Sequence, residues 1–349
     1  MGRKLLVSAF LLAMGLLLAG ADCVIPNGPG PAPAPQYEVA AWVPWSNQTS
    51  VRASLDREMA TIDVAHPFWY SLASDDTLSA RSYVDAALVA KLQAAGKKVV
   101  PTLTDGFVSG RAQAVLKDPT RRARHLNRVV DLVLSKGYDG IDLDYENMNL
   151  ATRDLFSAFV EDLAKALHAK GKIVSLAVYP KYDDQGSWAG PQSHDYARLG
   201  AAADRVNVMG YGYGYAGGKP NPIGPVFWCE KWLTYAVTRV PKKKLFFGIP
   251  FYGRDWPDGQ SGKALTHVDV EKLLANYGPT ISYDPKNGES TFEYKDASGV
   301  HHRVWFQSPE GTKDKMKLVT KYDIGGTVIW RLGSEDPRLW DSIREVLKP

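Results

Sequence analysis

The stretch YDGIDLDYEN, residues 138–147, decides how this 349-residue chain folds. Acidic and apolar residues alternate in it with a period of two, so in a β-strand they lie on opposite faces. The acidic face carries Asp142, Asp144 and Glu146, and the apolar face carries Ile141, Leu143 and Tyr145. In a barrel, one face of each strand packs against helices and the other points into the interior. Carboxyl groups placed inside lose much hydration free energy, so the pattern predicts a strand whose inner face serves chemistry.

Short apolar runs alternate with amphipathic stretches along the rest of the chain. The eight predicted strands are Glu38–Pro44, Ile62–Tyr70, Lys98–Leu103, Gly140–Tyr145, Ile173–Val178, Val206–Tyr211, Leu245–Pro250 and Gly326–Trp330. Helical patterns lie between most of them, at 87–95, 121–134 and 152–169. This order predicts an α/β protein with a (β/α)₈ TIM barrel. The alternative is a doubly wound sheet, but no G-x-G-x-x-G follows the first strand.

One connection is longer than the others. About 75 residues separate the seventh and eighth predicted strands, too many for one helix and two loops. Strand-like pieces and turn residues within it predict a small α+β insertion at about 256–324. Loops at this end of a barrel build the active site, so the insertion is expected to form a wall of the cleft. The barrel as a whole is predicted to occupy residues 37–349.

The N-terminus has the pattern of an export signal. In residues 1–21, Arg3 and Lys4 precede an apolar run that is short for a membrane span, and Ala19-Gly20-Ala21 matches a cleavage site. A retained anchor helix is the alternative. Residues 22–36 are rich in proline and predict an extended spacer. Cys23 resembles a lipoprotein acceptor, although Asp22 replaces the usual small residue. The protein is expected to be secreted or held in the cell envelope, either soluble or tethered to a membrane through Cys23.

Composition excludes several kinds of partner. The net charge is only +4 and no dense basic run is interleaved with aromatic residues, so nucleic acid is not an expected partner. The seven histidines form no H-E-x-x-H or comparable cluster, and neither a metal nor another cofactor is expected. The ten Trp and 17 Tyr residues would suit a saccharide cleft or a large core, and composition does not separate these. The chain is expected to be a monomer.

The run Asp139-x-x-Asp142-x-Asp144-x-Glu146 resembles the signature of glycoside hydrolase family 18, which includes chitinases, chitobiases and cell-wall N-acetylglucosaminidases. The resemblance extends over nearly the whole chain from Tyr37. Similar family motifs occur on four other predicted strands: His66-Pro67-Phe68-Trp69-Tyr70, Met209-Gly210-Tyr211, the run from Gly248 to Trp256, and Trp330.

This resemblance implies hydrolysis of β-1,4-linked N-acetylglucosamine polymers, either chitin oligomers or peptidoglycan strands, by a retaining mechanism in which the substrate assists. Glu146 would protonate the leaving oxygen, and Asp144 would orient the acetamido group that attacks. Asp142 would share a proton with Asp144, and Tyr211 would donate a hydrogen bond to the acetamido oxygen. The residues implied to bind substrate are Trp330, Met209, Tyr70, Tyr252 and Arg254.

Several of these assignments have structural alternatives. Met209, Tyr211 and Trp330 would also serve as barrel filling, and Tyr252 and Arg254 would also serve to brace the insertion. The chain departs from many chitinases on its third strand, where PTLTDGF (101–107) replaces Ser-x-Gly-Gly, and at Gly212, where Asp is common. It is closer to the branch of spore-cortex and cell-wall glucosaminidases. A lectin on an inactive barrel is the rival function, but such lectins typically lose the acid that Glu146 retains. Exo and endo cleavage both remain open.

Overall fold

Eight parallel strands close into a barrel in the computed structural model, which describes residues 37–349. The strands are β1 Glu38–Val43, β2 Val64–Leu72, β3 Leu78–Ala80, β4 Lys98–Val99, β5 Thr102–Thr104, β6 Gly140–Asp144, β7 Ile173–Val178, β8 Arg205–Met209, β9 Leu245–Pro250, β10 Gly253–Pro257, β11 Lys263–Leu265, β12 Ser282–Asp284, β13 Glu289–Lys295, β14 His301–Phe306 and β15 Gly326–Trp330. The helices are α1 Gln48–Arg57, α2 Ala86–Ala94, α3 Arg111–Lys117, α4 Pro119–Ser135, α5 Arg153–His168, α6 Ala189–Gln192, α7 Tyr196–Ala202, α8 Val226–Ala236, α9 His267–Tyr277, α10 Pro309–Tyr322 and α11 Arg338–Leu347.

The barrel runs in the order β1, β2, β5, β6, β7, β8, β9 and β15, and it closes because β15 pairs with β1. All these pairings are parallel, and helices lie between successive barrel strands. The predicted (β/α)₈ barrel is therefore confirmed over the doubly wound alternative. The third predicted strand is split into β4 and β5 around Pro101, which has no N–H group to donate to a neighbouring strand.

Helix α4 shows how local sequence sets these elements. Asp118 caps its start, because its side chain accepts hydrogen bonds from the backbone of Thr120 at 2.8 Å and Arg121 at 3.0 Å. Pro119 occupies the first helical position, where no N–H donor is needed. The buried residues recur every four positions, as expected of one apolar helix stripe. They are His125, Val129 and Val133.

Two apolar layers hold the barrel together. The outer layer lies between the strands and the helices and includes Ile141, Leu143 and Tyr145. The inner layer consists of side chains that point into the barrel: Ala40, Trp42, Val64, Phe68, Val100, Ala177, Met209 and Val328. The period-two alternation predicted for β6 thus separates an apolar outer face from an acidic inner face.

The insertion between β9 and α10 is a five-stranded antiparallel sheet, in the order β11, β10, β14, β13 and β12, together with α9. It runs from Gly253 to Phe306, which is narrower than the predicted 256–324. Helix α10 packs on α11, α8 and β9, so residues 309–322 belong to the barrel. A buried carboxylate, Glu289, fastens the sheet to the barrel. It accepts hydrogen bonds from Lys315 Nζ at 2.8 Å and from the backbone of Ile223 and Gly224 at 2.6 and 2.7 Å.

The predicted signal peptide (1–21), the proline-rich spacer (22–36) and Cys23 lie outside the described residues. From residue 37 onward, no helix is both long and apolar enough to cross a membrane. The other cysteine, Cys229, is fully buried on α8 as a free thiol, with its sulfur 3.5 Å from the Gly224 carbonyl oxygen. Cys229 is therefore a packing residue of the barrel wall.

Candidate active site

Asp142 lies deepest in the barrel and is fully buried. Four neutral donors from four different strands converge on its two oxygens. They are Trp42 Nε1 at 3.0 Å, Thr102 Oγ1 at 2.9 Å, Ser175 Oγ at 2.7 Å and Asn207 Nδ2 at 3.3 Å. These bonds give both carboxyl oxygens a partner away from water. None of the four bonds involves Asp144.

Asp144 sits one step nearer the barrel mouth and is 4% exposed. Burial raises its pKa well above the ordinary value, and the charges of Glu146, Asp142 and Asp105 raise it further. A hydrogen bond between the side chains of Asp144 and Glu146 raises the pKa of Asp144 further and lowers that of Glu146. Within residues 37–349, nothing hydrogen-bonds to Asp144 Oδ1, although this oxygen is buried. A buried acceptor without a partner is costly, and it is suited to a ligand that brings a donor.

Glu146 follows the end of β6 at the mouth of the barrel. Burial raises its pKa, and a nearby charge on Asp105 acts in the same direction, whereas hydrogen bonds from Tyr179 and Asp144 lower it. The Tyr179 hydroxyl donates directly to Glu146 Oε2. A carboxyl group with a raised pKa stays protonated nearer to neutral pH, as a general acid must.

Asp105 follows β5 and holds the backbone next to Glu146 in place, because it accepts a hydrogen bond from the N–H group of Asn147. It is fully buried, and its carboxylate accepts hydrogen bonds from the N–H groups of Phe107 at 2.8 Å and Asn147 at 2.7 Å. Burial raises the pKa of Asp105. Asp105 was not among the predicted site residues, although an acid directly after the third strand was an available signal.

The aromatic residues implied by the family resemblance face these acids. Burial raises the pKa of Tyr211 well above its ordinary value, and the charges of Tyr252, Asp144 and Glu146 add to the shift. The rings of Tyr211 and Tyr252 meet edge to face with centroids 6.2 Å apart. Trp330 is half-buried and packs on Trp42 and Phe68, with ring centroids at 6.0 and 5.2 Å. Met209 lies beneath them in the inner layer of the barrel.

A cavity of about 280 Å³ opens beside Trp330. Its polar walls are formed by Ser46, Asn47, Tyr252, Arg254, Thr266, Arg331 and Ser334. Tyr252 and Arg254 therefore line this cavity, and because β10 carries Arg254, the insertion sheet forms one of its walls.

The prediction for Tyr70 was wrong. Its side chain is buried in the outer layer, where its hydroxyl is 2.7 Å from that of Tyr138. The pairing of β2 with β5 is irregular between Phe68 and Tyr70, because an extra residue shifts the register. A bulge of this kind turns the following side chain to the other face. Phe68 takes the inner position instead and contacts Trp330.

Two further aromatic residues at the site were not predicted. Tyr179, just after β7, bonds to Glu146, and its ring packs edge to face against Trp188 with centroids 4.6 Å apart. Trp188 is 52% exposed and extends the aromatic surface next to the acid. Both lie in a loop after the fifth barrel strand, where no local pattern distinguishes them from core residues. In the part of the chain that the structure describes, no group of His, Cys, Asp and Glu could hold a metal ion.

Carboxyl groups in line at the carboxyl end of a barrel strand, facing aromatic rings across the barrel mouth, define a carbohydrate-cleaving barrel enzyme. The family model for glycosyl hydrolases family 18 matches residues 72–336. The chain belongs to this family.

Individual relatives agree with this assignment. The putative sporulation-specific glycosylase YdhD of Bacillus subtilis is 30% identical over 231 residues, which cover 65% of this chain and 54% of that protein. The cortical fragment-lytic enzyme of B. subtilis is 28% identical over 241 residues, covering 67% of this chain and 56% of that enzyme. The chain thus spans little more than half of either relative. A chitinase structure from Chromobacterium violaceum superimposes with a TM-score of 0.84 at 28% identity, covering 90% of this chain and 99% of the chitinase.

Proposed function

We propose that the protein hydrolyses β-1,4-linked glycans containing N-acetylglucosamine, with retention of configuration, and that the substrate's acetamido group is the nucleophile. The observation that carries this proposal is the contact between Asp144 and Glu146. A retaining glycosidase with its own nucleophile places its two carboxyl groups about 5 Å apart, flanking the scissile bond. Here the two are hydrogen-bonded to each other and extend from one strand. Both approach the sugar from the same side, which leaves the opposite face without an enzymatic nucleophile.

In the proposed first step, Glu146 transfers the proton it shares with Asp144 to the glycosidic oxygen. The bond from this oxygen to C1 breaks as the acetamido carbonyl oxygen bonds to C1. Asp144 Oδ1, which has no partner among the described residues, accepts the acetamido N–H and stabilises the positive charge of the cyclic intermediate. The Tyr211 hydroxyl donates to the acetamido oxygen, and Trp330 stacks beneath the ring.

In the second step, Glu146 acts as a base. It takes a proton from water, whose oxygen attacks C1 and reopens the cyclic intermediate. Asp142, held by its four hydrogen bonds, keeps the β6 backbone and hence Asp144 in place. The raised pKa of Glu146 and its position at the mouth support a hydrolase over a lectin, because sugar binding alone needs no buried acid.

The decisive experiment incubates the full-length protein with chitotetraose and with purified peptidoglycan strands, followed by mass analysis of the products and NMR of the newly formed anomer. Release of N-acetylglucosamine-containing products as the β-anomer supports the proposal. Products of inverted configuration would overturn the mechanism, and binding without products would favour the lectin.

We also propose that the protein is exported, on the pattern of residues 1–21, and that the proline-rich segment separates the barrel from the cell surface. Intact-mass analysis of the protein from its native host tests this proposal. A mature chain beginning at Asp22 indicates the soluble form, and a lipid-modified chain beginning at Cys23 indicates the tethered form. A protein that still carries residues 1–21 would contradict cleavage of the proposed signal peptide.

A further inference from the structure

The cavity beside Trp330 contains two arginines without acidic partners. Arg254 and Arg331 both line it, and no carboxyl group is found among the lining residues that the structure describes. Neither guanidinium forms an ion pair within residues 37–349, in contrast to the arginines of the outer surface, such as Arg303. Two positive charges therefore share one cavity with nothing in the described chain to neutralise them.

The remaining contacts of the two side chains are few. Arg254 Nη1 donates to the Gly262 carbonyl oxygen at 3.2 Å and the guanidinium meets the Tyr252 hydroxyl, but its Nε is buried and has no partner among the described residues. Arg331 Nη1 donates to Ser46 Oγ at 2.6 Å, and burial lowers the pKa of Arg331. A charge that is partly removed from water and unpaired is costly, unless a ligand supplies the counter-charge.

The position of the cavity shows which part of the substrate reaches it. In the closed ring of eight strands, β6 and β15 are four strands apart and lie on opposite sides of the barrel. In the proposed mechanism, Glu146, after β6, acts on the bond at C1 of the sugar over Trp330. The preceding sugar of a β-1,4-linked chain is attached at C4, at the opposite end of that ring. The non-reducing part of the glycan therefore extends towards β15, where the cavity opens.

We propose that this cavity binds a carboxylate carried by the sugar that precedes the cleaved one. The inference rests on the proposed function and narrows its substrate class from neutral to anionic amino-sugar chains. A guanidinium presents its N–H groups in the planar geometry that a carboxylate accepts. Such a carboxylate has two chemical sources, the lactyl ether of N-acetylmuramic acid and the C6 carboxyl group of a uronic acid. Chitin has neither.

A muramic acid source has a consequence for the order of reactions. The lactyl carboxyl group carries a charge only when it is not bound as an amide to a peptide. An amide hydrolysis that removes the peptide must then precede efficient cleavage by this enzyme.

The test compares kcat/KM of the full-length protein on matched tetrasaccharides. One alternates N-acetylglucosamine with N-acetylmuramic acid bearing free lactyl carboxylates, and a second has the same carboxylates blocked as methyl amides. Chitotetraose and a β-1,4-linked tetrasaccharide that alternates N-acetylglucosamine with glucuronic acid provide the neutral and the uronic acid arms. A hydrogen-bonded charge pair contributes about 1.5–3 kcal/mol, so we expect about a 10- to 100-fold preference for a free carboxylate. R331Q and R254Q should each reduce this preference by a similar factor.

R303Q is the matched control, because Arg303 lies on β14 of the same insertion sheet but pairs with Asp258 at the surface. It should keep the wild-type preference. Equal rates on the free and the amidated muramic acid substrates, with no preference for the glucuronic acid substrate, would overturn the carboxylate site while the hydrolase function stood. A preference confined to the glucuronic acid substrate would support the site and identify a uronic acid as its source. No cleavage of any of the four substrates would instead overturn the proposed function.

Discussion

The hydroxyl group of Tyr179 donates a hydrogen bond to Oε2 of Glu146, across 33 positions of sequence. This bond stabilises the ionised form of Glu146 and so lowers its pKa against the larger effect of burial. The pKa of Glu146 thus depends on burial, which raises it, and on the hydrogen bond from Tyr179, which lowers it.

Tyr179→Phe should shift this balance. Loss of the donor raises the pKa of Glu146, so the protonated acid persists to higher pH. The alkaline limb of the kcat profile should move up by about one to two pH units, since a bond to a charged group contributes about 1.5–3 kcal/mol. The measurement is kcat against pH, with Tyr182→Phe as control because Tyr182 makes no contact with Glu146. An alkaline limb that stays in place in Tyr179→Phe would refute the role of Tyr179.

Glu146→Gln removes the transferable proton and keeps the shape of the side chain. General acid catalysis contributes typically 10²–10⁴-fold, so kcat on an unactivated glycoside should fall by at least about 10². Binding of the substrate, measured by calorimetry on the same variant, should persist. A correctly folded variant with near-native turnover would exclude Glu146 as the acid.

Asp144→Asn separates substrate assistance from an enzymatic nucleophile. The charge that Asp144 stabilises develops in the transition state, so kcat should fall by about 10² or more while KM changes little. With the wild-type protein, a thiazoline analogue of N-acetylglucosamine should inhibit competitively, and a matched 2-hydroxyl substrate should react extremely slowly. A covalent glycosyl adduct on Asp144, detected by mass spectrometry, would contradict the mechanism.

The buried ion pair between Lys315 and Glu289 should be the main stabilising contact between the insertion sheet and the barrel. Lys315→Met leaves the Glu289 carboxylate buried and without its counter-charge, because both side chains are 0% exposed. The free energy of unfolding should fall by about 3–5 kcal/mol. Lys317→Met is the control, since Lys317 pairs with Asp314 at the surface and should change stability by less than about 0.5 kcal/mol.

The double variant Lys315→Met/Glu289→Gln removes both charges and should recover part of that loss. Denaturant unfolding of the wild type, Lys315→Met, Glu289→Gln and the double variant gives the coupling free energy. Equal free energies of unfolding for Lys315→Met and Lys317→Met would show that the Lys315–Glu289 ion pair does not stabilise the fold.

Buried histidines should make the protein less stable in acid. Burial lowers the pKa of His125 to about 4. Below pH 6.5 the unfolded chain binds a proton at this position that the folded chain does not, so stability falls as pH drops from 6.5 towards 4. Between pH 7 and 5, His125 should contribute a loss of about 2 kcal/mol.

His125→Phe should remove that part of the pH dependence, measured as the difference between unfolding free energies at pH 7 and pH 5. His168→Gln serves as control, because His168 is exposed and bonded to Asp204. An unchanged difference in His125→Phe would refute the assignment.

The sequence by itself determined the barrel, the eight strands and the acidic face of β6. These features depend on short-range periodicity. Alternation with a period of two assigns each side chain of a strand to one face, and each short apolar run between turn residues indicates one strand. The predicted strand at 173–178 and the shared face of Asp142, Asp144 and Glu146 therefore needed no knowledge of distant contacts.

Only the tertiary structure decided which distant residues meet. Tyr179 reaches Glu146, Asp105 holds the backbone of Asn147, and Arg254 shares a cavity with Arg331, because closure of the barrel brings different strands together at one mouth. Tyr70 was misplaced for the same reason, since a bulge in the pairing of β2 with β5 reversed its face. Pairing between strands depends on long-range packing, and local periodicity does not record the register shift that turned Tyr70 outward and Phe68 inward.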